Sequence, residues 1–181
     1  LFNNKFSLEK RRKILTLAKD IIRNNKHPNN HRTDEFYTDM KSYTRYKNIN
    51  IDDSVWDLYP PNLALLDYIL KHRQYQEEMI HLDIGCGLGI LLVYLNQLNI
   101  NANGFDNWDQ INPICSKLFL EKNQINKDHI LINKEMLNNF FQKSNIDSVS
   151  HIGIWLDQDI KDKIIEKKPL YIFSDESYLH H

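Results

Sequence analysis

The chain has five glycines among 181 residues, and four of them, Gly85, Gly87, Gly89 and Gly104, fall in one stretch, HLDIGCGLGILLVYLNQLNINANGFDNWD, from His81 to Asp109. Three of the four alternate in GCGLG, between a short apolar run and a longer one. Glycine at such a turn permits positive φ and omits the Cβ atoms that would hold a ligand away from the backbone. A helix beginning there presents free N–H groups to an anionic group. Two carboxylates accompany the turn, Asp83 just before it and Asp106 at the end of the next short apolar segment. An ionised carboxylate is a pure acceptor with two oxygens. The dinucleotide fingerprint G-x-G-x-x-G would require glycine where the chain has Ile90, so the spacing is G-x-G-x-G and a nucleotide-binding oxidoreductase is disfavoured.

These residues need elements to carry them. MIHLDIG, stopped by glycine, reads as a strand; ILLVYLNQL is long enough for a buried helix; NANGFD reads as a second strand and INPICSKLFLEKNQI as a second helix, with Pro113 in an early turn. HILINKE, VSHIGIWL and LYIF supply three more strand candidates, with EMLNNFFQKS and DQDIKDKIIEKK as helices between them. Alternating strands and helices predict an α/β, doubly wound, mostly parallel sheet covered on both faces, with its ligand at the carboxyl ends of the strands.

Upstream, SLEKRRKILTLAKDIIRN predicts an amphipathic helix capped by Ser7, with Ile14, Leu17, Ala18, Ile21 and Ile22 on its apolar face. KRRK, Lys10 to Lys13, reads as a solvated face of that helix. The polar stretch from Asn24 to Ser54 shows no periodicity and reads as a long loop or lid. YPPNLALLDYILKHR announces another helix, entered through Pro61, with Leu63, Leu66, Ile69 and Leu70 on one face. The organisation expected is an N-terminal helical and lid extension over 1–58 and a ligand-binding domain over 59–181.

DIGCGLG, Asp83 to Gly89, resembles the first motif of the class I methyltransferases that use S-adenosylmethionine, and GFD, Gly104 to Asp106, resembles the end of their second strand. The resemblance covers about Tyr59 to Phe173. It implies a Rossmann-like fold and S-adenosylmethionine as cofactor, with Gly85, Cys86, Gly87 and Gly89 passing beneath its methionine part. Asp106 would receive both ribose hydroxyls, a role that suits a two-oxygen acceptor. Asp83 would help fix the turn and the cofactor's ammonium group. Glu135 would accept from the adenine amino group, and Asn107, Trp108 and Met136 would wall the adenine pocket, with the indole as a stacking face. Without a ligand, Asp106 reads as a strand-ending or helix-capping residue, and Glu135 as a favourable first-turn glutamate.

Methyl transfer needs the acceptor's lone pair in line with the methyl group, and orientation supplies much of the rate. A base helps where the acceptor is a hydroxyl or a protonated amine. The catalytic residues stay unassigned, with His151, Asp157, Tyr43 and Tyr46 as candidates. His151 reads first as a sheet residue and Asp157 as a strand-end residue, where such sheets carry catalytic groups, or simply a helix cap, while Tyr43, Tyr46 and Trp56 are able to close over the ligand or simply pack on the core. HIGIWLDQD, His151 to Asp159, stands where the family often carries its acceptor motif and has no Asn-Pro-Pro-Tyr or Asp-Pro-Pro-Tyr. That lowers amino-methylation of nucleic acids and of glutamine, and leaves a small-molecule or protein acceptor favoured. The family core also has seven strands, the last two antiparallel, whereas this sequence reaches a fifth candidate. The C-terminal strands are either absent, as in a reduced member of the fold, or supplied by residues not in this sequence, and the alternative reading is a noncatalytic methyltransferase-like subunit. LYIF carries no charge and makes a poorly protected edge, expected to pair with further residues of the polypeptide, a second copy or another protein.

Composition sets the remaining bounds. A 41% hydrophobic and 26% charged chain of net charge -1 gives no electrostatic support for nucleic-acid binding. No apolar run approaches the ~20 residues of a membrane span, and no secretory signal is visible. Two cysteines, Cys86 and Cys115, make neither a disulfide framework nor a zinc pattern, so no metal is expected and an intracellular, cytoplasmic setting is.

Overall fold

The computed structural model describes residues 2–25, 57–58, 60–72 and 78–174. A four-residue helix α1, Phe2–Lys5, precedes α2, Leu8–Asn24, and α3, Pro60–Lys71. The α/β unit then runs β1 (Ile80–Ile84), α4 (Ile90–Gln97), β2 (Asn101–Phe105), α5 (Pro113–Lys122), β3 (Ile130–Leu131), α6 (Lys134–Lys143), β4 (Ser148–His151), α7 (Gln158–Lys167) and β5 (Tyr171–Ser174). All pairings are parallel and the order is β3-β2-β1-β4-β5. This is the doubly wound, Rossmann-like α/β arrangement, and the order reverses between β1 and β4. The crevice outside the carboxyl ends of strands at such a reversal is where these sheets hold ligands.

The sheet is covered on both sides because its strands alternate between two apolar clusters. Leu82, Ile84, Phe105 and Val149 pack with Leu137 and Phe141 of α6 and Ile160 and Ile164 of α7. Ala102, Ile130 and the partly buried Tyr171 and Phe173 face the other cluster, built from α2, α3, α4 and α5. Helix α4 is apolar nearly all round, with Ile90 through Leu95 buried, as expected of a helix enclosed on every side. On α3, Tyr68 stands edge-on to both Tyr171 and Phe173, with centroids 5.9 and 5.6 Å away, seating the helix on β5.

Many local stops use asparagine or serine. Ser7 accepts from the Lys10 amide, Asn112 from that of Ile114 ahead of Pro113, and Asn133 from that of Met136, each capping a helix. The cap at Asn133 also explains why HILINKE yields only a two-residue strand, since the chain turns at once into α6. VSHIGIWL likewise contributes only its first three residues to β4, and Ile152 to Leu156 form the loop that follows.

KRRK departs from the solvated face expected of it. Lys10, Arg12 and Lys13 are exposed, but Arg11 is completely buried. Its Nη2 donates to Oδ1 of the equally buried Asp57 at 2.6 Å, and its Nε donates to both oxygens. The Tyr94 hydroxyl of α4 donates to Oδ2 of Asp57. Burial, then the Asp57 charge, hold the Tyr94 phenol far above its ordinary range. Phe6 meets the Tyr94 ring edge-on at 4.8 Å. Helix α2 thus shares one core with the α/β unit, through a buried cation that its partner carboxylate neutralises.

Candidate functional site

The site is built where β1 and β2 end. Asp83 lies opposite Gly104 in the register, and the turn Gly85–Gly89 carries the chain over the ends of both strands into α4. The amides of Gly85 and Cys86 both donate to the carbonyl of Phe105, at 2.8 and 3.2 Å, so the turn continues the sheet's bonding past its last pair. Gly85, Gly87 and Gly89 take φ of 85°, 54° and 94°. That left-handed backbone is why the turn is glycine at alternate positions. Gly104 is needed for a different reason: a Cβ there would lie 2.5 Å from Leu92 Cδ1 and 2.8 Å from Cys86 Cβ. The concentration of glycine therefore has structural causes as well as any owed to a ligand.

Asp106 is the hinge between turn and strand. Its Oδ2 accepts from the Gly87 amide at 2.8 Å and its Oδ1 from the Trp108 amide at 3.3 Å. A carboxylate offers about four acceptor positions, so roughly one per oxygen is left for other donors. Asp106 is partly exposed. Trp108 takes φ of 62°, a left-handed conformation unusual for a bulky residue. Its side chain packs against the core, and its Nε1 is buried with no hydrogen-bond acceptor among the described residues. An unmatched buried donor on a strained residue beside the turn is a feature that a ligand acceptor would complete. Asn107 is exposed and bonds locally to Asp109.

Asp83 is 6% exposed and its Oδ1 accepts from Ser150 Oγ of β4 at 2.6 Å. Its carboxyl is pushed up to about 7: burial raises it most, the Ser150 hydrogen bond lowers it, and the charge of Asp106 raises it. Two carboxylates thus face one turn, one nearly dry and one wet. The buried Ser116 hydroxyl of α5 donates to the Gly87 carbonyl at 2.9 Å, holding the turn from its other side. Cys86 is buried, with Sγ 3.7 Å from the same carbonyl.

The other expected residues spread out. Met136 is partly buried on the α6 side, and Glu135 is exposed in the first turn of α6. His151 is fully buried in β4 with Nδ1 3.4 Å from Ser174 Oγ, the situation of a sheet residue. Asp157 stands not at a strand end but six residues past β4, at the N-cap position of α7, where its side chain makes no capping bond. Exposed, it pairs instead with Lys134 of α6 at 3.3 Å. Tyr43, Tyr46, Trp56 and most of the expected lid lie outside the described residues. Sequence reasoning overlooked Ser116, Ser150 and His81. A signal for the last two exists in hindsight: polar residues at alternate positions of two buried strands, HLD and SVS, fall on one face of the sheet.

Residues able to hold S-adenosylmethionine are therefore present in kind. Asp106 has acceptor capacity for hydroxyls, Asp83 is a carboxylate for an ammonium group, the turn brings backbone close, and Trp108 offers a ring and an unmatched N–H. Among the described residues, no group of three or more His, Cys, Asp or Glu is placed to hold a metal ion, and no helix is long and apolar enough to cross a membrane.

No family model matches the chain, and no curated protein matches it. Among solved structures, PKMT2 from Rickettsia typhi aligns with 60% of this chain at a TM-score of 0.34 and 21% sequence identity. The chain covers 22% of that protein's length.

Proposed function

We propose that the protein binds S-adenosylmethionine across the ends of β1 and β2 and transfers its methyl group to a small-molecule or protein acceptor. The observation that carries this reading is Asp106: tied to the Gly87 and Trp108 amides, it is held at the end of β2 with acceptor capacity to spare on each oxygen. Adjacent ribose hydroxyls are a matching pair of donors. Asp83, Gly85, Cys86, Gly87 and Gly89 would hold the methionine end, and Trp108, Asn107, Met136 and Glu135 the adenine end. Bound there, the cofactor supplies an electrophilic methyl group. The protein's part is to orient it, keep water from it and leave the crevice between β1 and β4 open to the acceptor.

Titration calorimetry with S-adenosylmethionine and S-adenosylhomocysteine tests the reading. Both should bind, and a hundredfold excess over Kd should stabilise the fold by about 2.7 kcal/mol. Asp106→Ala should remain folded and bind much more weakly. Failure of the wild-type protein to bind either compound would refute the proposal. Binding without methyl transfer to any peptide or small-molecule acceptor pool would favour a noncatalytic subunit.

A further inference from the structure

Four buried side chains on one face of the sheet form an unbroken line of hydrogen bonds that ends at Asp83. Ser148 Oγ lies 2.8 Å from His81 Nδ1, His81 Nε2 lies 2.8 Å from Ser150 Oγ, and Ser150 Oγ lies 2.6 Å from Asp83 Oδ1. The strand register creates the line, since His81 stands opposite Ser148 and Asp83 opposite Ser150 in the parallel β1 and β4 pair. Leu82, Ile84 and Val149 point to the other face and pack there. His81, Ser148 and Ser150 are all 0% exposed.

Proton counting gives the line a direction. An ionised Asp83 only accepts, so Ser150 spends its single hydrogen on Asp83 and must accept from His81 Nε2–H. Burial drives the His81 imidazole down to about 3, so the ring is neutral and Nδ1 is left bare, accepting from Ser148 Oγ–H. Every bond in the line then points toward Asp83. The opposing influence is Asp106, whose like charge reaches Asp83 from the end of β2. The uncharged Ser150 and His81 are what face Asp83 from β4 and from its own strand.

We propose that His81, acting through Ser150, is a positioning residue that holds Asp83 as an oriented carboxylate at the glycine turn, ready to take a primary ammonium group of the ligand. The ammonium is that of the amino-acid end of S-adenosylmethionine, so the identity of the cation rests on the function proposed above. A neutral histidine in a dry sheet does no chemistry itself. Its work is to keep the Ser150 hydrogen pointed at Asp83, opposing the burial that favours the protonated acid. Ligand binding should then release a proton near neutral pH and weaken in acid, because only the ionised carboxylate attracts the ammonium.

Nuclear magnetic resonance on the wild-type protein and on Ser150→Ala, His81→Leu and His81→Gln tests this without a ligand. Above pH 7, where Asp83 is ionised, the wild type should show His81 as the Nε2–H tautomer. The titration midpoint of the Asp83 carboxyl carbon should rise by roughly one pH unit in Ser150→Ala, as befits the loss of one hydrogen bond to a charged group. His81→Leu should raise it as well, whereas His81→Gln, which keeps an N–H near the Nε2 position, should hold it near the wild-type value. An Nδ1–H tautomer above pH 7, or an unmoved midpoint in the nearly isosteric Ser150→Ala, overturns the proposal. Calorimetry with S-adenosylhomocysteine over the same pH range completes the test. Affinity should fall about tenfold per pH unit below the midpoint and shift with it in Ser150→Ala. Identical pH dependence in the two proteins overturns the role in ligand capture. No binding at any pH, with the carboxyl shifts as expected, removes the methyltransferase reading and leaves the positioning role of His81 standing.

Discussion

The Gly87 amide donates to Oδ2 of Asp106 at 2.8 Å, fastening the turn that leaves β1 to the residue that ends β2. A side chain expected to serve a ligand therefore also holds the backbone around it. Removing it should loosen the turn even when no ligand is present. In Asp106→Ala the Gly87 amide should exchange with solvent faster than in the wild type, while amides of Leu82 and Ala102, deep in the sheet, should keep their protection. Because Asp106 is partly exposed, the global cost should be only about 1 kcal/mol. Unchanged exchange at Gly87 would mean that the hydrogen bond does not hold the turn.

Gly104 offers a prediction independent of any ligand. The atoms that an added methyl would meet include Cys86 Cβ at 2.8 Å, which is part of the turn's own framework and cannot swing aside as a long side chain would. Gly104→Ala should cost about 1–3 kcal/mol by overpacking, lowering Tm by several degrees in a thermal melt. A melt indistinguishable from the wild type would show that β2 and the turn can separate without penalty.

The part of the site readable from sequence is the part made by neighbours along the chain. Asp83, the alternate glycines and Asp106 announce themselves because a strand, a tight turn and a second strand occupy consecutive stretches. Arg11 did not, because its partner Asp57 is 46 residues away and nothing in KRRK marks one of four basic residues as buried. The line from Ser148 to Asp83 depends on the register of β1 against β4, strands 67 residues apart, which local periodicity does not specify. HILINKE looked like a full strand because isoleucine and leucine dominate it; the capping bond of Asn133 ends it after two residues.

Arg11 and Asp57 should behave as a unit. Arg11→Met leaves a buried carboxylate whose remaining donor is the Tyr94 hydroxyl, and breaking a buried pair from one side costs about 3–5 kcal/mol. Removing both charges, in Arg11→Met with Asp57→Leu, should recover part of that loss, since the Asp57 carboxylate is then no longer buried without its guanidinium. Urea denaturation of Arg11→Met, Asp57→Leu and the double variant decides it. A double variant as unstable as the sum of its parts would show that the groups are not coupled.

His81 and Asp83 should compensate each other in acid. The unfolded chain protonates histidine near 6.5, but burial holds the folded His81 down to about 3, so its stabilisation is complete above about pH 6.5 and is lost as pH falls toward 3. Asp83 runs the other way. Its folded carboxyl sits at about 7 against an ordinary 3.8, raised by burial, eased by Ser150 and raised again by Asp106, so its stabilisation is complete below 3.8 and is lost as pH rises through 7. Between about pH 4 and 6.5, unfolding takes up a proton at His81 and releases one at Asp83, and the two contributions cancel. Asp83→Asn removes one side of that balance. Relative to the wild type, its stability should fall by about 1.4 kcal/mol for each pH unit of acidification across that window. Urea midpoints measured for both proteins at several pH values check this. A constant difference between them would show that Asp83 does not carry the buried proton.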